Sequence, residues 1–147
     1  MLKIEKVKDS EIEIDQQILD ELMRTLEVLE SSTDLEGTAI VSKTGLRIAS
    51  SETADVVWDI YSASPATLIS LGEKISQSLK QGELEDVVIK GTKGYTIILV
   101  GDATNDFMLF TNCKKGYKLG YYFHKIRKAF REMESVLKKV QTKTVNY

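Results

Sequence analysis

Apolar positions along the chain change their spacing several times, and the order of the changes outlines a fold. After Asp15, a good N-cap, Leu19, Leu22, Leu26 and Leu29 recur three and four residues apart, with Ile18 and Met23 flanking the stripe. That spacing predicts a helix from about Asp15 to about Leu29, closed by Ser31-Ser32-Thr33-Asp34. GTAIVS (37–42) and LRIASS (46–51) are short β-rich runs around Lys43-Thr44-Gly45. Glycine at the last loop position suits a three-residue hairpin that closes through a left-handed residue.

Residues 55–81 read as helical, with Leu68, Leu71, Ile75 and Leu79 on one stripe, but Pro65, the single proline, falls in the first half. A proline in mid-helix costs roughly 3 kcal/mol and one at the first helical position costs little, so the helix proper is expected over 65–80. VVWDIY (56–61) is then expected to be a preceding, kinked turn of helix. VVIK (87–90) and YTIILV (95–100) flank Gly91-Thr92-Lys93-Gly94, and FMLFT (107–111) follows the polar loop 102–106, which predicts three antiparallel strands. Leu119, Phe123, Ile126, Phe130, Met133, Leu137 and Val140 mark a last helix. Burying those seven side chains gains about 10 to 20 kcal/mol, whereas ordering the helix costs about 1.5 kcal/mol per residue, so it must dock on something larger. A sheet face is the expected partner, because two hairpins wait to be covered.

The predicted order is α-β-β-α-β-β-β-α, an α+β arrangement that occupies residues 15–140 as one domain. Residues 1–14 are then an N-terminal extension and 141–147 a C-terminal tail. A chain of 147 residues fits one domain with a substantial core. The N-terminus lacks a signal-peptide core and no apolar run reaches the about 18 residues of a membrane span, so a cytoplasmic location is expected. Charge is divided unevenly along the chain. Residues 1–36 hold four Lys and Arg against eleven Asp and Glu, net −7, and residues 113–147 hold ten against two, net +8. The first and last helices are expected to lie side by side; the alternative is a basic last helix that meets an acidic partner, a membrane surface or nucleic acid, the last without any supporting signature.

No motif carries chemistry. Cys113 is the single cysteine and His124 the single histidine, which leaves no disulfide, no ordinary transition-metal set and no sequence-adjacent nucleophile–base pair. Glu83, Glu85 and Asp86 form an acidic cluster that reads as a solvated strand entrance rather than a cation site. Gly91-Thr92-Lys93-Gly94 matches the GxxG that clamps nucleic-acid backbones, but that loop joins helices and this one is expected to join strands. Neither a phosphate-binding GxxxxGK[ST] nor a helix-opening GxGxxG occurs. Trp58 and Tyr121-Tyr122-Phe123 read as packing. Expectations are therefore no catalytic residue, no cofactor, no metal and no nucleic-acid partner.

GTAIVSKTGLRIASS, SPATLISLGEKISQSL, ELEDVVIKGTKGYTIILVGD and KLGYYFHKIRKAF, in that order, resemble the roadblock family, named after a dynein light chain. The resemblance covers about residues 16–140, and the long last helix is closest in layout to prokaryotic GTPase-regulating members. It implies a profilin-like or longin-like sandwich: a five-stranded antiparallel sheet with the first and last helices on one face and the middle helix on the other. Pro65 departs from a family helix that normally runs unbroken.

The resemblance also implies dimerisation through the third strand and the middle helix, and regulation of a small Ras-like GTPase. Val87, Val88 and Ile89 form an apolar edge that invites aggregation unless covered, and a symmetric pairing covers it in both copies. The dimer residues expected on this basis are Val87, Val88, Ile89, Leu68, Leu71, Ile75 and Leu79, in a homodimer or with a second roadblock-type chain. Direct activators of hydrolysis usually insert an arginine from a loop, yet Arg24, Arg47, Arg127 and Arg131 all fall on predicted helices or a strand. A non-catalytic binding platform is therefore expected, with Glu73, Lys74, Gln77 and Lys80 as its partner surface. The alternatives are a structural adaptor in a motor or signalling complex and a small-molecule sensor.

Overall fold

The computed structural model describes residues 2–7, 10–51, 63–116 and 118–144. Its elements, in chain order, are β1 (Leu2–Val7), β2 (Ser10–Asp15), α1 (Gln16–Thr33), β3 (Gly37–Ser42), β4 (Arg47–Ser50), α2 (Ala63–Ser78), β5 (Asp86–Lys90), β6 (Gly94–Val100), β7 (Phe107–Lys114), α3 (Leu119–Leu137) and β8 (Gln141–Thr144). Five strands form an antiparallel sheet ordered β4-β3-β7-β6-β5.

Each face of that sheet carries its own core. Alternation sends Ile40, Ile97, Leu99 and Leu109 to one side, where they pack with Leu19, Leu22, Leu26 and Leu29 of α1 and Ile126, Phe130, Met133 and Leu137 of α3. Ala39, Val41, Ile98, Met108 and Phe110 point to the other side and pack with Ile69 of α2. The sandwich with α1 and α3 on one face and α2 on the other is thus the arrangement that the sequence leads one to expect. The acidic α1 and the basic α3 do lie side by side.

Local chemistry explains the boundaries. Asp15 caps α1, its carboxylate accepting from the Gln17 amide at 2.8 Å. The helix runs one turn past Leu29. Ser31, Ser32 and Thr33 hydroxyls bond back to carbonyls within the last turns, and Asp34 closes it in the left-handed region at φ 60°. Gly45 (φ 97°) closes the β3–β4 hairpin, where the Ser42 amide meets the Leu46 carbonyl at 2.8 Å.

α2 starts two residues earlier than the sequence suggests. Pro65 is its third residue, still within the first turn, where an amide has no intrahelical acceptor and its loss costs nothing. VVWDIY (56–61), with Trp58, lies outside the described residues. In α3 the fully buried aromatic is Tyr122 rather than Phe123. The Tyr122 hydroxyl donates to the Lys114 carbonyl at 3.2 Å, while half-buried Phe123 carries the Arg127 guanidinium 4.7 Å above its ring.

The segments expected to be extension and tail pair with one another. β1 and β2 form an antiparallel hairpin, and β2 also pairs with β8, giving a second sheet ordered β1-β2-β8. The chain's two ends therefore meet in a small sheet of their own, and none of its strands pairs with β5. Among the described residues no helix is long and apolar enough to cross a membrane.

Candidate functional site: an edge strand and an exposed apolar helix face

β5 is the outermost strand of the five-stranded sheet, and β6 is its only strand partner among the described residues. Val87 and Ile89 sit opposite Ile98 and Thr96, and Val88 opposite Ile97. Alternation therefore puts Val87 and Ile89 on the α2 side of the sheet and Val88 on the other. Val87 and Val88 are half-buried, whereas Ile89 is 48% exposed.

α2 lies over the start of this strand. A side-chain β-carbon added at Gly72 would come 3.0 Å from Leu84 Cδ2 and 3.7 Å from Val87 Cγ2, so glycine is what lets the helix settle this low. The residues that face the sheet are Pro65, Ile69, Gly72 and Ser76, spaced by four, three and four. The expected stripe is turned away. Leu68 is half-buried against the sheet cluster, but Leu71, Ile75 and Leu79 are 54%, 59% and 62% exposed. Leu68 thus stays with the sheet while the three later members of the stripe face outward, and a different row seats the helix. Together with Ile89 they give the α2 side of the protein four large exposed apolar side chains.

The end of α2 shapes a groove beside this face. Lys80 stands in the left-handed region (φ 55°) at the position where glycine usually ends a helix. Its amide bonds the Gln77 carbonyl at 3.1 Å, and the Gln81 amide reaches Ser76 at 2.8 Å. Buried Ser76 donates to the Gly82 carbonyl at 2.7 Å, tying the turn down. Glu73, Gln77 and Lys80 then line an open groove of about 520 Å³ with Lys43, Leu84 and Asp102. Thr104 gives its hydroxyl and its amide to the Asp102 carboxylate at 2.6 and 2.8 Å, which holds that group below the usual carboxylate range. The Lys43 ammonium donates to the Asp102 carbonyl at 3.3 Å. Of the four partner residues expected from the sequence, Glu73, Gln77 and Lys80 meet in the groove, and Lys74 does not line it. Lys43 and Asp102 went unrecognised because they come from two loops far apart in sequence.

Replacing Lys80 by glycine removes a groove side chain and relieves the left-handed strain at once. Lys80→Gly is expected to raise stability by about 0.5 to 1 kcal/mol, read as a higher denaturation midpoint with unchanged slope.

The remaining candidates are structural. Cys113 is buried with its sulfur 3.9 Å from the Tyr95 carbonyl, and burial pushes its thiol up. His124 is exposed on α3. Asp86 of the acidic cluster pairs with Arg127 at 3.0 Å, and the described residues contain no group of three or more His, Cys, Asp or Glu able to hold a metal. The glycine loop 91–94 joins two strands, with the Gly91 amide bonded to the Gly94 carbonyl at 2.9 Å. All four arginines lie in α1, β4 or α3.

Comparison with known proteins agrees with this architecture. No curated protein sequence matches the chain. MglB of Myxococcus xanthus superposes with a TM-score of 0.71 at 15% identity, over 79% of this chain and 94% of that one. The gliding protein MglB of Thermus thermophilus gives 0.74 at 12%, over 86% and 95%. A Roadblock/LC7 domain of Streptomyces avermitilis gives 0.70 at 14%, over 78% and 96%. At these identities the likeness is one of fold. The family model of the Roadblock/LC7 domain matches residues 21–110, from within α1 to within β7, and by that match the chain belongs to the Roadblock/LC7 family.

Proposed function

We propose that this chain is a non-catalytic Roadblock-type platform that dimerises through β5 and α2 and binds a small Ras-like GTPase. The observation that carries the first part is the coincidence, on one side of the protein, of an edge strand with an exposed apolar helix stripe. Two copies related by a two-fold axis would join their β5 strands and cover Leu71, Ile75, Leu79 and Ile89 in each. These side chains are about half exposed, so covering each gains about 1 kcal/mol, or roughly 8 kcal/mol for the pair of protomers. Association costs are of the same size, about 4 to 15 kcal/mol, so the strand hydrogen bonds are needed as well. The same edge would accept a second Roadblock-type chain.

The partner surface is the groove at the end of α2. Its lining of Lys43, Glu73, Gln77, Lys80 and Asp102 offers both charge signs on a partly apolar floor, and the proposed two-fold axis would bring two such grooves into one assembly. No arginine stands on a loop, so the platform acts by holding a GTPase rather than by inserting an arginine finger. The test is calorimetry against small Ras-like GTPases encoded in the same genome, each loaded with GDP or a non-hydrolysable GTP analogue. Micromolar or tighter binding is expected, weakened at least tenfold by Lys43→Glu with Lys80→Glu. Failure of every GTPase in both nucleotide states would remove this reading and leave the dimer standing.

A further inference from the structure

Five large apolar side chains are exposed among the described residues, and four of them belong to the α2–β5 side. The fifth, Val28, is 60% exposed on the opposite layer, in α1. It opens onto a groove of about 310 Å³ between α1 and α3, with Leu29 and Ala129 at its base. Arg24, Lys125 and Lys128 stand along it against one acid, Glu132. None of these three cations makes an ion pair among the described residues, although α1 as a whole is acidic. Tyr121 fixes one end by donating to the Ser32 carbonyl at 3.5 Å, so the last turn of α1 lies beside the first turn of α3 and the two helices run antiparallel.

We propose that this groove is a second docking site, which takes an acidic amphipathic helical segment of another protein. Two neighbouring helices with an apolar floor form a seat into which a third helix can press its apolar ridge. The free cations supply the charge complement: an apolar ridge would meet Val28, Leu29 and Ala129, and flanking carboxylates would meet Arg24, Lys125 and Lys128.

Charge also argues against the other occupants. A second copy seated groove to groove would oppose six cations with two acids. An anionic bilayer is flat and would meet Asp20, Glu21 and Glu27, which are exposed on the same helix as Val28. A narrow segment reaches the cations and leaves those acids in water.

The test pans a library of displayed 16-residue peptides on the full chain, with Lys125→Glu/Lys128→Glu as counter-selection. Recovered sequences are expected to carry Asp and Glu beside Leu, Ile or Phe at spacings of three and four. A synthetic copy should bind at least tenfold more weakly to the counter-selection variant and to Val28→Asp, both checked for unchanged circular dichroism. Arg131→Glu, on α3 but outside the groove, should leave its affinity unchanged. Any of four results overturns the proposal: peptides without acidic bias, equal binding to wild type and variant, binding to phosphatidylglycerol vesicles that the variant loses, or a self-association step that the variant loses.

Discussion

Replacing Leu71 and Ile75 together by glutamate is expected to leave a folded monomer where the wild-type chain is proposed to dimerise. Both side chains already meet water over more than half their surface, so the protomer loses little by the exchange. In the proposed dimer the same positions are covered, and the two-fold axis would bring four new carboxylates into an apolar seam without partners. Stranding charge in this way costs at least about 3 kcal/mol, which raises the dissociation constant a hundredfold or more. Sedimentation velocity at micromolar concentration reads the result. A wild-type chain that sediments as a monomer, or a variant that sediments like the wild type, would defeat the dimer.

That prediction rests on a helix whose role was only half legible in the sequence. Leu68, Leu71, Ile75 and Leu79 have the spacing of a buried stripe, and although the family resemblance puts them at a dimer seam, the spacing does not say which of them face outward. The row that seats the helix is Pro65, Ile69, Gly72 and Ser76, and only Ile69 looks like a core residue. Gly72 qualifies because it lacks a side chain where Leu84 and Val87 press closest. Ser76 qualifies because its hydroxyl finds the Gly82 carbonyl. Hydrophobic periodicity registers neither reason.

α1 and α3 present the opposite case. Their stripes bind them to a continuous core, so pattern, burial and docking face agree. The strands of the central sheet were legible for a similar reason: buried apolar runs stand between glycine or polar turns. β1, β2 and β8 were not. LKIEKV and SEIEID mix charged with apolar residues, but no glycine, proline or asparagine stands between them in the sequence. QTKT contains no apolar residue, and its strand character comes from pairing with β2 rather than from its composition. The two surfaces argued for binding have the same limitation, since each groove is assembled from elements distant in sequence.

Truncating Ile126 to alanine is expected to be the most destabilising of these changes, with an effect that leaves the proposed dimer seam untouched. Ile126 is fully buried in the α1–α3 core, in the middle of the stripe that docks α3 on the sheet. Removing three carbons there loses their transfer energy and leaves a cavity between two helices and a sheet that cannot all close on it. Such truncations cost about 2 to 5 kcal/mol, and the centre of that range corresponds to a fall in melting temperature of about 10 °C for a domain of this size. Melting curves should be compared at one protein concentration, because association adds to apparent stability. The folded variant should still dimerise like the wild type, since α3 packs on the opposite side of the sheet from Leu71 and Ile75. A loss below about 1 kcal/mol would mean that α3 is not seated as described. A weaker dimer at temperatures where the variant remains folded would mean that the two faces of the sheet are coupled.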